Sequence, residues 1–242
     1  MARVFGSAKL VGAALLLGSL LLGGCSQVEP VPEPSAKKSV NLDSSELQRI
    51  LTQFTSSEDN PKVLSDQKLR ASIPLAQQWL ESAKIKPSKC GVTFAQPVSG
   101  QLGTATLGAV ELKDSYLMVA IFHNPDVLKK QWSAMNDLFN ECSRYSVATD
   151  GKSRAYHLAA QQLNSDAEHD QSYVVTSSDG TTSQQQFVVH SVDANVLIGI
   201  QQPVTQTQTA EQIESATGII NNLLRELQHA GQVSATAPSG NN

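Results

Sequence analysis

Asn124 to Cys142, NPDVLKKQWSAMNDLFNEC, reads as a helix whose start, periodicity and end agree. Asn124 suits the N-cap, Pro125 the first helical position, where its missing N–H costs nothing, and Asp126 the positive end of the helix dipole. Leu128, Trp132, Met135, Phe139 and Cys142 recur at steps of four, three, four and three, with Leu138 beside them, so one apolar stripe can cover a sheet. The stripe ends at Cys142, which faces the core.

Strands flank this helix. Upstream, Ala105–Leu112 and Tyr116–His123 read as a pair joined by a tight turn at Lys113-Asp114-Ser115, preceded by a strand at Val92–Ala95 just after Cys90. Downstream come Arg154–Leu163, then Ser172–Ser177 after an acidic loop, a hairpin turn at Asp179-Gly180, and Gln185–Val192 with Asn195–Gln201 about a turn at Asp193-Ala194. Two shorter helices are expected first, one over Leu47, Ile50, Leu51 and Phe54 capped by Asp43 or Ser44, the other at Ile73–Lys84 with Pro74 in its first turn. A last helix carries Ile213, Ala216, Ile220, Leu223 and Leu227 on one face, with a capping box at Thr209–Gln212 and Gly231 as C-cap. The turns between successive strands are too short for parallel crossovers, so the expected fold is α+β, a largely antiparallel sheet with helices packed on one face.

The first residues stand apart. Arg3 and Lys9 precede an apolar run, Leu10–Leu22, that is short for a bilayer span, and Leu22-Gly23-Gly24-Cys25 follows. This pattern resembles the lipobox of bacterial lipoproteins. The resemblance implies that the peptide is cut before Cys25, that the Cys25 sulfur carries a diacylglyceryl group, and that the new N-terminus is open to acylation. Two acyl chains anchor stably where one binds reversibly. The expected organisation is a signal peptide over 1–24, a lipidated cysteine with a Pro-rich tether over 25–40, a folded domain over 41–230 and a disordered tail over 231–242. The expected location is the extracytoplasmic face of the cell membrane, held by lipid.

Net charge is -4 and aromatic content 5%, giving neither a basic footprint nor a stacking platform for nucleic acid, so nucleic acid is not an expected partner. With Cys25 occupied by lipid, Cys90 and Cys142 are the remaining cysteines, and outside the reducing cytosol they are expected to form a disulfide; the alternative is a lone inert thiol in the core.

Taken together, the lipobox, the Pro-rich tether, a cysteine opening the strand region, Phe122 feeding an Asn-Pro helix, Phe139 three residues before Cys142, a strand-rich second half and a closing amphipathic helix resemble the PknH-like extracellular sensor domain family of actinobacterial lipoproteins and receptor kinases, over roughly Leu42 to His229. That resemblance implies an α+β domain with a cleft, working as an extracytoplasmic ligand-sensing or ligand-binding module without known catalysis. The family commonly has four cysteines in two bridges and a tryptophan before the helix cysteine, where this chain has Cys90, Cys142 and Phe139.

Candidate chemistry is sparse. Gly151-Lys152-Ser153 ends like a P-loop but lacks the earlier glycine and leads into a strand. Asp166, Glu168, His169 and Asp170 could offer ligands to a cation, yet match no known loop spacing, and a solvated acidic loop is the simpler reading. His157 and His190 lie on strands and could face each other, without a third ligand; Trp79 and Trp132 read as core. No nucleophile elbow or triad stands out. The expectation is therefore no catalytic residue, no metal, no cofactor and no enzyme activity. The ligand is an unidentified small molecule, lipid or envelope protein, and the alternative function is a carrier of lipids or other apolar molecules at the cell envelope.

Overall fold

The computed structural model describes residues 38–91, 102–139, 141–204 and 209–236, with side chains to residue 232 in the last helix. The expected signal peptide, Cys25, the expected tether through Lys37 and the strand expected at Val92–Ala95 lie outside them. The fold is α+β: four helices and a nine-stranded antiparallel sheet among the described residues. In chain order these are α1 (Ser44–Phe54), β1 (Lys62–Leu64), α2 (Asp66–Ser82), β2 (Lys84–Lys86), β3 (Ala105–Glu111), β4 (Tyr116–Phe122), α3 (Pro125–Phe139), β5 (Arg144–Thr149), β6 (Lys152–Gln161), β7 (His169–Ser178), β8 (Ser183–Asp193), β9 (Val196–Pro203) and α4 (Thr209–Thr236). The spatial order is β1-β3-β4-β9-β8-β7-β6-β5-β2.

Local signals act as the residues dictate. The Asp43 carboxylate accepts from the Ser45 and Glu46 N–H groups while Glu46 reaches back to the Asp43 N–H, closing a capping box on α1. Asn124 Oδ1 accepts from Asp126 N–H at 3.0 Å at the start of α3. The Leu112 N–H bonds Ser115 O across the β3–β4 turn, and Gly180, at φ 91°, turns β7 into β8 over an Asp179 side chain that accepts from the Thr181 and Thr182 N–H groups.

Strand alternation divides the core in two. Leu117, Val119 and Ile121 of β4 and Val196, Ile198 and Ile200 of β9 point to one face, covered by Leu47, Ile50 and Leu51 of α1 and Ala216, Ile220, Leu223 and Leu227 of α4. Ala120 and Phe122 of β4 and Leu197 of β9 point to the other, beneath Leu128, Trp132 and Met135 of α3. Helices expected on one face therefore include α1 and α4, and α2 and α3 occupy the opposite face. Periodicity shows that a helix has an apolar side; it carries no label for which sheet surface that side meets.

Gly108, on β3, lies directly under α1, where a Cβ would stand 2.6 Å from Leu51 Cδ1. The folded domain also takes in Val40, placed in the tether by its sequence: it is 4% exposed, its N–H donates to Asn195 Oδ1 at 2.8 Å, and Asn195 Nδ2 donates to the carbonyls of Val40 and Phe122, both at 2.8 Å. Gly231 is no C-cap. It lies inside α4 against Val40, and the helix runs to Thr236, six residues into the expected tail.

α2 differs most from expectation. It begins seven residues earlier than the sequence suggested, capped by Ser65, so Pro74 sits in the helix interior. It joins the two edge strands of the whole sheet, β1 and β2. Nine strands span roughly 38 Å at about 4.8 Å per gap, whereas a helix of 17 residues is about 25 Å long. A twisted sheet of nine strands curls, and a helix that joins its two edges lies across the hollow side, so the face under α2 and α3 is concave.

Candidate functional site

The concave face is covered unevenly. α3 buries Leu128, Trp132, Met135 and Phe139 against one end of the strands. α2 buries none of its residues. Its half-exposed positions, Leu69, Ile73, Ala76, Leu80 and Ala83, still fall at helical spacing along one side, so that side faces the sheet without closing onto it. Leu69 and Ile73 touch the cluster around Trp132, and Ala83 touches the cluster around Tyr173, which places α2 across the concavity. Beneath it, Tyr116 and Met118 of β4, Val188 and His190 of β8, Val175 of β7 and Tyr156 of β6 are half-buried rather than sealed. The register puts them on this same face: Met118 opposite Gly199, Gly199 opposite His190, His190 opposite Gln171. A groove results, floored by the curved sheet, walled by α3 and bridged by α2.

The edge anchoring α2 is built from polar side chains. The Asp66 carboxylate accepts from the Leu107 N–H at 2.8 Å and from Arg70 Nε at 2.6 Å, while Arg70 donates to the carbonyls of Gly103 and Ala105. These groups satisfy the part of β3 that the short β1 leaves unpaired. At the other end, Cys90 and Cys142 form a disulfide with Cα atoms 5.4 Å apart, both fully buried. Cys90 belongs to a short 3-10 turn, Ser88–Cys90, following β2, and Cys142 follows the end of α3. The bridge therefore ties the far end of α2, through β2, to α3.

Where α3 meets the floor, two polar groups lie next to each other across the β7–β8 ladder. Gln171 is 8% exposed, and its Nε2 has no hydrogen-bond partner among the described residues; the same is true of His190 Nδ1. Burial lowers the His190 pKa to about 4, so the ring is neutral at physiological pH. Aromatic rings frame the pair: Tyr173 lies 6.2 Å from His190 and 5.1 Å from Phe139, and Trp132 stacks on His169 at 5.8 Å. Burial raises the Tyr173 phenol, and burial followed by the neighbouring tyrosines raises Tyr145, keeping both protonated. Such a site offers a neutral donor, a neutral imidazole and apolar walls, a combination that suits holding a partly apolar ligand by an uncharged polar group.

The other candidates disperse. His157 shares a face with Thr176, and His190 with Gln171, so the two histidines stand on opposite sides of the sheet. In the acidic loop, Asp170 accepts from Ser165 and from the buried Ser191, while His169 turns to Trp132. No three such side chains converge on a common point among the described residues. Trp132 is core, at 9% exposed, but Trp79 is 45% exposed and Leu75 68%, both on the flank of α2 beside its sheet-facing side. Gln171 carried no signal in the sequence, because one glutamine on an alternating strand looks the same over a core, a groove or solvent.

No family model matches the sequence, and no curated protein matches it. Solved structures similar to this chain include the extracellular domain of PknH from Mycobacterium tuberculosis, at 16% identity and a TM-score of 0.45, covering 80% of this chain and 98% of that one. An uncharacterized protein from Mycobacterium smegmatis, the Rv0999 ortholog, is similar at 12% identity and a TM-score of 0.43, covering 80% of this chain and 100% of that one.

Proposed function

We propose that this chain is a lipid-anchored extracytoplasmic protein whose domain binds a ligand in the concave groove under α2 and works by binding, without turnover. One observation carries the reading: α2 spans the sheet from edge to edge and seals none of it, leaving half-buried apolar side chains around a neutral polar pair. The sequence Leu22-Gly23-Gly24-Cys25 supports the anchor, and the Cys90–Cys142 disulfide suits an oxidising compartment. The groove's contents support binding over catalysis, since its phenols stay protonated and its histidine neutral, with no carboxylate across the ladder to activate it.

Carriage of lipids or other apolar molecules is the second reading, favoured by Met118, Val175 and Val188 on the floor.

Native mass spectrometry of the mature protein with an envelope extract tests the groove. A saturable adduct weakened by Val188→Arg is expected; no adduct, or one indifferent to Val188→Arg, refutes it. Detergent phase partitioning tests the anchor, and a Cys25→Ala protein that still enters the detergent phase refutes that part alone.

A further inference from the structure

We infer that the opposite, convex face carries a separate binding site for a phosphate-bearing ligand, at the end of the sheet formed by β2, β5, β6 and β7. Coverage by α1 and α4 stops near Val174 of β7. Beyond it the ladder continues uncovered in two adjacent rows on the same face: Lys86 beside Ser146, Ala155 and Ser178, and Arg144 beside His157 and Thr176. These rows line an open depression of about 450 Å³. Its floor is made of small residues, which creates the hollow, and its rim is basic.

The charges are uncompensated. Lys62, Arg70, Lys89 and Arg154 each pair with a carboxylate. Lys86 and Arg144 have no such partner among the described residues, and neither row contains an acid. Lys84, in the next row along, adds a third cation beside Ala148 and Ser153. In a chain of formal charge -4, neighbouring rows holding three cations and no anion are electrostatically complementary to an anion. The groups available fit phosphate best: a guanidinium fork, an ammonium, an imidazole, and the hydroxyls of Ser146 and Thr176 around one hollow.

The depression takes a phosphomonoester or phosphodiester, and the test separates a soluble one from a lipid headgroup.

The test uses the mature chain in phosphatidylcholine nanodiscs, titrated calorimetrically with inorganic phosphate and glycerol 1-phosphate at constant ionic strength. Saturable binding is expected, tighter for phosphate than for chloride and weakened roughly tenfold or more by each of Lys86→Gln and Arg144→Gln. The Lys129→Gln/Lys130→Gln pair, which removes two exposed charges from α3 on the other face, should leave it unchanged. Absence of saturable binding by the wild type, equal weakening by the α3 pair, or binding to phosphatidylglycerol vesicles that phosphate does not displace would each overturn the proposal. A groove that fails to bind ligand leaves this outcome untouched, because Lys86 and Arg144 lie on the opposite face of the sheet from the groove's Val188 and His190.

Discussion

Acid should weaken this fold through one histidine. His190 lies in the β8 ladder between Gln171 and Gly199, 6.2 Å from the Tyr173 ring, and none of these supplies a negative charge to offset protonation. Its folded pKa of about 4, set by burial, lies below the value of about 6.5 expected in the unfolded chain. The unfolded state therefore binds the extra proton first as pH falls. The stability contributed by neutral His190 is complete above about pH 6.5 and drains away between 6.5 and 4, by up to about 3 kcal/mol at 1.36 per unit. Carboxylates held low by hydrogen bonds, such as Asp43 and Asp179, add a loss of the same sign at lower pH, so the wild type alone cannot isolate the effect. His190→Phe keeps a flat ring of similar size in a strand and removes the titration. Urea unfolding at half-unit steps from pH 7.5 to 4 should show the wild type losing up to about 3 kcal/mol more than the variant. Parallel stability profiles for the two proteins would refute the argument.

Three further perturbations probe the frame around the groove. Replacing Cys90 or Cys142 with serine opens a link across 52 residues and should cost about 4 kcal/mol on the chain-entropy model, with the double variant little worse than either single one; free thiols in the denatured, unreduced wild type would contradict the bridge. Gly108→Ala sets a methyl 2.6 Å from Leu51 Cδ1 and 3.0 Å from Leu47 Cδ2, so the two leucines or α1 itself must shift within a packed core, at about 1–3 kcal/mol; an unchanged melting temperature would show that α1 does not pack tightly on β3. Asn195→Ala strands the Val40 N–H and two carbonyls in a buried site and should cost about 2–4 kcal/mol while exposing the segment before α1 to protease; an unaltered cleavage rate there would contradict the docking of Val40.

The features legible in the sequence are those whose causes are local. Asn124-Pro125, Asp43 with Glu46, Lys113–Ser115 and Asp179-Gly180 each bend or start the chain through hydrogen bonds and dihedral limits within a few residues, and α1, α3 and the β3–β4 and β7–β8 hairpins lie where those signals put them. Less strongly marked pieces escaped. β1 and β2 are three residues each, too short to show alternation, and β5 follows Cys142 with no turn signal between, so all three become strands through their neighbours. Pro74 looked like a helix start because proline suits a first turn, yet Ser65 had already begun α2.

What makes the site was not local at all. That β9 lies between β4 and β8, that α2 links the two outermost strands, and that a 17-residue helix crosses a nine-stranded sheet are relations among residues far apart in the chain. An amphipathic pattern reports that a helix has an apolar side, and an alternating pattern that a strand has two faces. Whether those surfaces meet closely, as beneath α3, or stand apart, as beneath α2, depends on distances fixed only when the ends of the sheet are joined.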